Sequence, residues 1–229
     1  MRLINDLALI LTKPDIKNLH MSYETDKANI LAFFDNHIIR YVVSDLEALN
    51  SIEADETGAG GCSIPQASAT FSALDLMGYL MHPQDISPMK MSFSDLLNNE
   101  KYFPEFKQYS IQANFFNSFK DNLRSFMVHR FSITKYDITK TSDTNLFTEM
   151  DTRQIFNTSY FTKITINAIN KIYNEIKEDK FLINGFSKKI TLGKVNEKIK
   201  MLKGFDKNYV PLIDLPISSV STQTTCSLK

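Results

Sequence analysis

Over long stretches of this chain the apolar residues recur every three or four positions. Only a helix gathers such a pattern onto one face. Residues 23–50 carry apolar side chains at 30, 31, 33, 34, 38, 39, 41, 42, 46 and 49, which predicts a long amphipathic helix with Ser22 or Thr25 as its cap. Residues 63–81 predict a second helix, with Ser63 as N-cap and Pro65 in the first turn. Its small residues, Ala67, Ala69, Ser72, Ala73 and Gly78, let a neighbouring helix approach closely. Ser92 or Ser94 starts a short helix through Leu97, after the breaker "HPQDISP". Residues 109–129 predict a core helix through Ile111, Phe115, Phe116, Phe119, Leu123, Phe126 and Met127. Residues 158–178 predict another, and shorter helical pieces follow to about residue 203.

The period changes once. In "RFSITKYDITKTSDTNLFTEM" the residues Phe131, Ile133, Tyr136 and Ile138 alternate, and Leu146 and Phe147 follow a polar turn. That predicts a small β-hairpin over residues 131–150. The fold class is therefore mainly α: a helical bundle with a small β-hairpin insertion, one domain over residues 1–205. Residues 206–229, with two prolines and a polar end, read as an extended or poorly ordered tail. Hydrophobic residues make up 43% of the chain and phenylalanine occurs 17 times, enough for a core without metals or disulfides.

Charge narrows the partners. The formal net charge is zero, so no global field steers the chain towards a polyanion. The distribution is uneven. Residues 161–203 hold ten lysines against four acids, a net charge of +6, whereas residues 44–57 hold five acids and no base. A solvated helical face explains the lysines by default, and local phosphate or RNA contact is the sharper reading. The glycine-rich "GAGG" at 58–61 could form an anion-binding nest, but no Gly-Lys-Ser/Thr follows it, so a loop ahead of a buried helix is the better reading. Cys62 and Cys226 fall in no metal-ligand spacing and imply a reducing compartment. The apolar run Leu7–Leu11 is too short to span a membrane, and no cleavage site follows it. A cytoplasmic protein without a membrane span, metal or cofactor is expected.

The chemistry-bearing residues converge on "DNLRSFMVHRF", residues 121–131. Arginine stays cationic and clamps phosphate through a planar fork, and histidine titrates near neutrality and moves protons. Arg124 and His129 together suffice for metal-independent RNA cleavage: the histidine handles the ribose 2′-hydroxyl proton or the leaving oxygen, and the arginine offsets charge on the phosphate. Five residues at 100° each separate the pair by about 140° on an ideal helix. They therefore meet only where the helix loosens after Val128, or across a symmetric interface. Spacing alone favours a plainer reading, with Arg124 solvated or paired to Asp121 and with His129 and Arg130 capping the helix end. His37, lying on a helix face with no partner motif, reads as structural.

"NLRSFMVHRF" resembles the Arg-x4–6-His motif of the HEPN superfamily. It also resembles the Arg-(Asn/Cys)-Gly-Leu-x-His helix ends of uncharacterised bacterial proteins, a similarity of layout that runs over residues 58–135. The resemblance implies an all-α bundle, often dimeric, and a metal-independent endoribonuclease of toxin, antiphage or RNA-processing type with Arg124 and His129 catalytic. Many HEPN proteins have Asn, Asp or His directly after the arginine. Here it is Ser125, whose hydroxyl can still hydrogen-bond phosphate, and Arg130 is a further phosphate-binding candidate. Expected partners are a second copy of the chain, RNA and a cognate antitoxin protein. The competing expectation is a non-catalytic helical interaction protein.

Overall fold

The computed structural model describes residues 13–56, 60–82, 96–110, 115, 119, 136–150, 153–180 and 191–205. The first long helix begins ten residues earlier than its apolar periodicity. Helix α1 (Lys13–Phe33) has Pro14 at its second position, where a missing N–H costs nothing. The proposed caps lie inside it, and Thr25 donates its hydroxyl back to the Met21 carbonyl at 2.8 Å. The rod then widens into a π-helical stretch, Phe34–Val43, before returning to α geometry in α2 (Ser44–Ser51). The buried residues of the wide stretch, Phe34, Ile38 and Val43, are spaced by four and five, as i→i+5 bonding requires. Phe34 stacks on Tyr173, whose hydroxyl donates to Asp35 at 2.6 Å.

Helix α3 (Ser63–Met81) matches its predicted span. It is buried around most of its circumference, from Ala67 and Phe71 to Leu80 and Met81, as befits a helix surrounded by others. Its N-cap is Cys62, in the left-handed region, rather than Ser63. Ser63 is already helical, and both its amide and its hydroxyl donate to the Gly60 carbonyl. A short 3₁₀ turn (Pro104–Phe106) leads into α4 (Lys107–Ser110).

The sheet has three strands, β1 (Tyr136–Thr139), β2 (Phe147–Met150) and β3 (Arg153–Asn157), in the order β1-β3-β2. The small β insertion is present in a mainly helical protein, but the two stretches expected to form a hairpin do not pair with each other. β3 lies between them, parallel to β1 and antiparallel to β2. Its register sets Phe156 opposite both Ile138 and Phe147, so the hydrophobic row crosses the whole sheet. Asn157 secures this arrangement. Its side-chain amide donates to Thr141 Oγ1 and to the Asp143 carbonyl, both at 3.0 Å, tying the β1–β2 connection to the end of β3. The same side chain then caps α5 (Thr158–Lys177) by accepting from the Tyr160 amide. Helix α6 (Leu192–Phe205) packs along α1, with Leu192, Val195 and Ile199 buried.

One hydrophobic cluster runs from Ile30 to Ile199. Its centre is aromatic: Phe71 meets Phe119 and Phe161 at 5.4 and 5.1 Å between ring centroids, and Phe119 meets Phe106 at 5.8 Å. Tilted and edge-on contacts predominate, the arrangement that ring quadrupoles favour. Among the described residues no helix is long and apolar enough to cross a membrane. Phe119 is fully buried and meets six other rings, Phe71, Phe106, Phe115, Phe147, Phe156 and Phe161, whereas Phe147 is only half-buried. Phe119→Ala is expected to lose about 3–5 kcal/mol in urea denaturation, and Phe147→Ala distinctly less. Equal losses would show that the centre of the core lies elsewhere.

Candidate functional site

Arg124, Ser125, His129 and Arg130 lie outside the described residues. The nearest described residues before them are Phe115 and Phe119, both helical and both in the aromatic centre. The other sequence candidates are accounted for by packing. His37 is half-buried, with its ring 5.1 Å from that of Phe33. The loop before α3 has a steric explanation. Gly61 has φ +54°, and a Cβ there would sit 2.9 Å from the Ala54 nitrogen and the Glu53 oxygen.

Beside that loop the structure brings together residues that the sequence did not single out. Lys140 follows β1 and is only 8% exposed. Its ammonium donates to the carbonyls of Leu49 at 2.7 Å, Gly61 at 3.1 Å and Ile52. Two of these oxygens belong to the end of α2, where carbonyls lack helical partners and the dipole favours a cation. Burial pushes the Lys140 pKa below the ordinary lysine value, and neighbouring Cys62 works in the other direction.

Lys140 also lines a pocket of about 360 Å³ with Asn50, Glu53, Thr141, Ser142 and Ser159. A polar ladder descends from its wall into the core. Ser159 Oγ and Gln66 Nε2 both donate to Asn50 Oδ1, at 2.9 and 2.7 Å. Gln66 Nε2 also reaches Thr162 Oγ1 at 3.0 Å, and Thr162 shares a hydrogen bond of 2.8 Å with Thr70. Gln66, Thr70 and Thr162 are fully buried, so the ladder fixes the register of α3 against α5. Gln66 Oε1 has no hydrogen-bond partner among the described residues.

A second buried lysine repeats the first. Lys198 on α6 is 1% exposed and donates to the carbonyls of Tyr79, at 2.7 Å, and His82 at the end of α3. It is therefore not part of the solvated basic face to which its neighbours assign it. Chemically, the Lys140 pocket offers hydroxyls, an amide and a carboxylate. Its ammonium has all three protons directed at backbone carbonyls, which leaves it no free donor for acid–base work. Among the described residues no three His, Cys, Asp or Glu side chains could share a metal ion. The signal for Lys140 is faint but present: it ends an alternating strand and directly precedes a polar turn. Nothing in the spacing of Gln66 sets it apart from the small-residue helix around it.

No protein-family model, curated protein or solved structure matches this chain.

Replacing Lys140 with methionine keeps most of the stem and removes the ammonium, leaving three carbonyls unmatched. Lys140→Met is expected to lower stability by about 1–3 kcal/mol for each carbonyl that water does not reach, read from the urea midpoint at unchanged slope. A variant as stable as the parent would mean that water satisfies the end of α2.

Proposed function

We propose that this chain is a HEPN-like helical protein that binds and cleaves RNA as a homodimer in the cytoplasm. In this reading Arg124 clamps the scissile phosphate and His129 serves as general acid or base. Ser125 and Arg130 add phosphate contacts, and a cognate antitoxin protein would hold the activity in check.

The observation that carries the reading is the burial of Phe115 and Phe119. These are helical residues, four apart, in the aromatic centre of a mainly helical fold. Arg124 follows Phe119 by five positions, so the motif would be anchored by the best-packed part of the protein. Rigid anchoring is what a phosphate clamp needs, because a small displacement of the clamp costs rate steeply.

The chemistry is a transesterification. His129 accepts the 2′-hydroxyl proton as the 2′-oxygen bonds to phosphorus. The bond to the 5′-oxygen breaks, and that oxygen takes up a proton. Arg124 holds the non-bridging oxygens as charge builds on them.

His129→Ala is expected to lose about 10²–10⁴ in cleavage rate, and Arg124→Ala to lose cleavage as well, with the circular dichroism spectrum unchanged. Cleavage should persist in EDTA and leave 2′,3′-cyclic phosphate ends. Arg124→Lys keeps the charge without the fork and should also be impaired; full activity would remove the clamp role. If the wild type leaves single-stranded and structured RNA intact between about pH 6 and 8, where a histidine base is competent, the non-catalytic interaction protein takes the place of this reading.

A further inference from the structure

Helix α5 carries one exposed stripe of unusual composition. Lys163, Asn167, Asn170, Asn174 and Lys177 fall within about 80° of arc at 100° per residue, and they extend about 21 Å along the axis. All are exposed except Asn170, which is half-buried. The opposite side of the helix carries Phe161, Ile164, Thr165, Ile169, Ile172 and Ile176 into the core.

Three asparagines on the exposed face of one helix need a reason. Asparagine is a poor helix former because its amide competes for the backbone, and it is normally kept where that amide caps or bridges. None of these three side chains makes a hydrogen bond among the described residues, Lys163 makes no hydrogen bond or ion pair there, and Lys177 makes no hydrogen bond but feels the charge of the adjacent Glu178 carboxylate. The carboxylates around the stripe are already engaged. Glu175 accepts from Lys101 at 2.6 Å and Tyr102 at 2.8 Å, Asp35 accepts from Tyr173, and Glu178 accepts from Lys180 at 2.7 Å. Lys171, at the edge of the stripe, donates to the Lys101 carbonyl. What remains is a ridge with a cation towards each end and amides between them.

We infer that this α5 ridge is a docking face for single-stranded RNA, with Lys163 and Lys177 on phosphates and the three asparagine amides on base edges and ribose hydroxyls. The inference rests on RNA being the ligand of the preceding section, and it assigns a binding surface separate from Arg124 and His129. Charge selects a polyanion. The amides narrow the class further: each offers both a donor and an acceptor, matching the mixed polar edges of unpaired bases and the 2′-hydroxyl. An anionic membrane surface would call for large apolar residues beside the cations, and the stripe has none.

The test uses the full chain carrying His129→Ala, so that RNA is bound without being cut. A fluorescently labelled, unstructured single-stranded RNA is titrated at several salt concentrations against this protein and against the same protein with Lys163→Gln and Lys177→Gln. Both lysines are exposed, and circular dichroism checks that α5 persists. The expected result is an affinity loss of about tenfold or more and a salt slope smaller by about 1.4, at roughly 0.7 per phosphate contact on a single strand. Asn167→Ala with Asn174→Ala should weaken binding while leaving the slope unchanged.

Unchanged affinity and slope in the lysine variant overturn the inference. If the wild type still cuts RNA through His129 in that case, the catalytic reading stands alone. Binding that depends on the two lysines, in a protein that cuts nothing, supports the ridge and ends the catalytic reading instead. Lysine-dependent capture by anionic phospholipid vesicles, with no RNA binding, overturns the ridge in favour of a membrane surface.

Discussion

The ends of α2 and α3 are each completed by the ammonium of a distant, buried lysine. A helix end leaves carbonyls without intrahelical partners, and a buried carbonyl without any partner is expensive. Lys140 meets this need for α2 and Lys198 meets it for α3. Each lysine also links parts of the chain that are distant in sequence. Lys140 binds the strand region to the acidic loop before α3. Lys198 binds α6 to the far end of α3, beside the Tyr79 ring at 5.1 Å. The cost of burying such a charge is offset in part where two or three carbonyl dipoles converge on it.

Around these ties the aromatic centre supplies the bulk of the packing, and the ladder from Asn50 to Thr70 supplies the register. Phenylalanine contacts tolerate small slides of one helix past another. Hydrogen bonds between Gln66, Thr162 and Thr70 do not, because a shift of one position would break all of them at once. Apolar packing and polar register thus act on the same α3–α5 interface and do different work.

Helix spans were legible wherever apolar period and punctuation agreed. Ser63-Ile-Pro and His82-Pro bracket α3, and its span was legible from them, although Cys62 rather than Ser63 is the N-cap. The start of α1 was not legible, because residues 13–22 lack the apolar period and only Pro14 marks the boundary. β3 escaped notice because its five residues run straight into a helix, and a parallel partner leaves no turn signal between β1 and β3. The π-helical stretch keeps a spacing close enough to the α period to be taken for it. Of the candidate site, the basic excess near α5 was visible as a count of lysines, but that count could not separate exposed Lys163 and Lys177 from buried Lys198. Lysine reads as surface in any pattern, and only tertiary structure shows which ones serve as caps. Arg124 and His129 were singled out by their chemistry and by the resemblance, and both lie outside the described residues.

The lysine caps also have a consequence in time. Lys140 reaches carbonyls 79, 88 and 91 residues earlier in the chain, and Lys198 reaches back 116 and 119 residues. Ribosomal synthesis at about 5–20 residues per second separates Leu49 from Lys140 by about 5–18 s. Throughout that interval the α2 carbonyls that Lys140 later caps have only water as a partner. Contacts of such long sequence separation also slow refolding from denaturant, because loop closure precedes the bonds that compensate it.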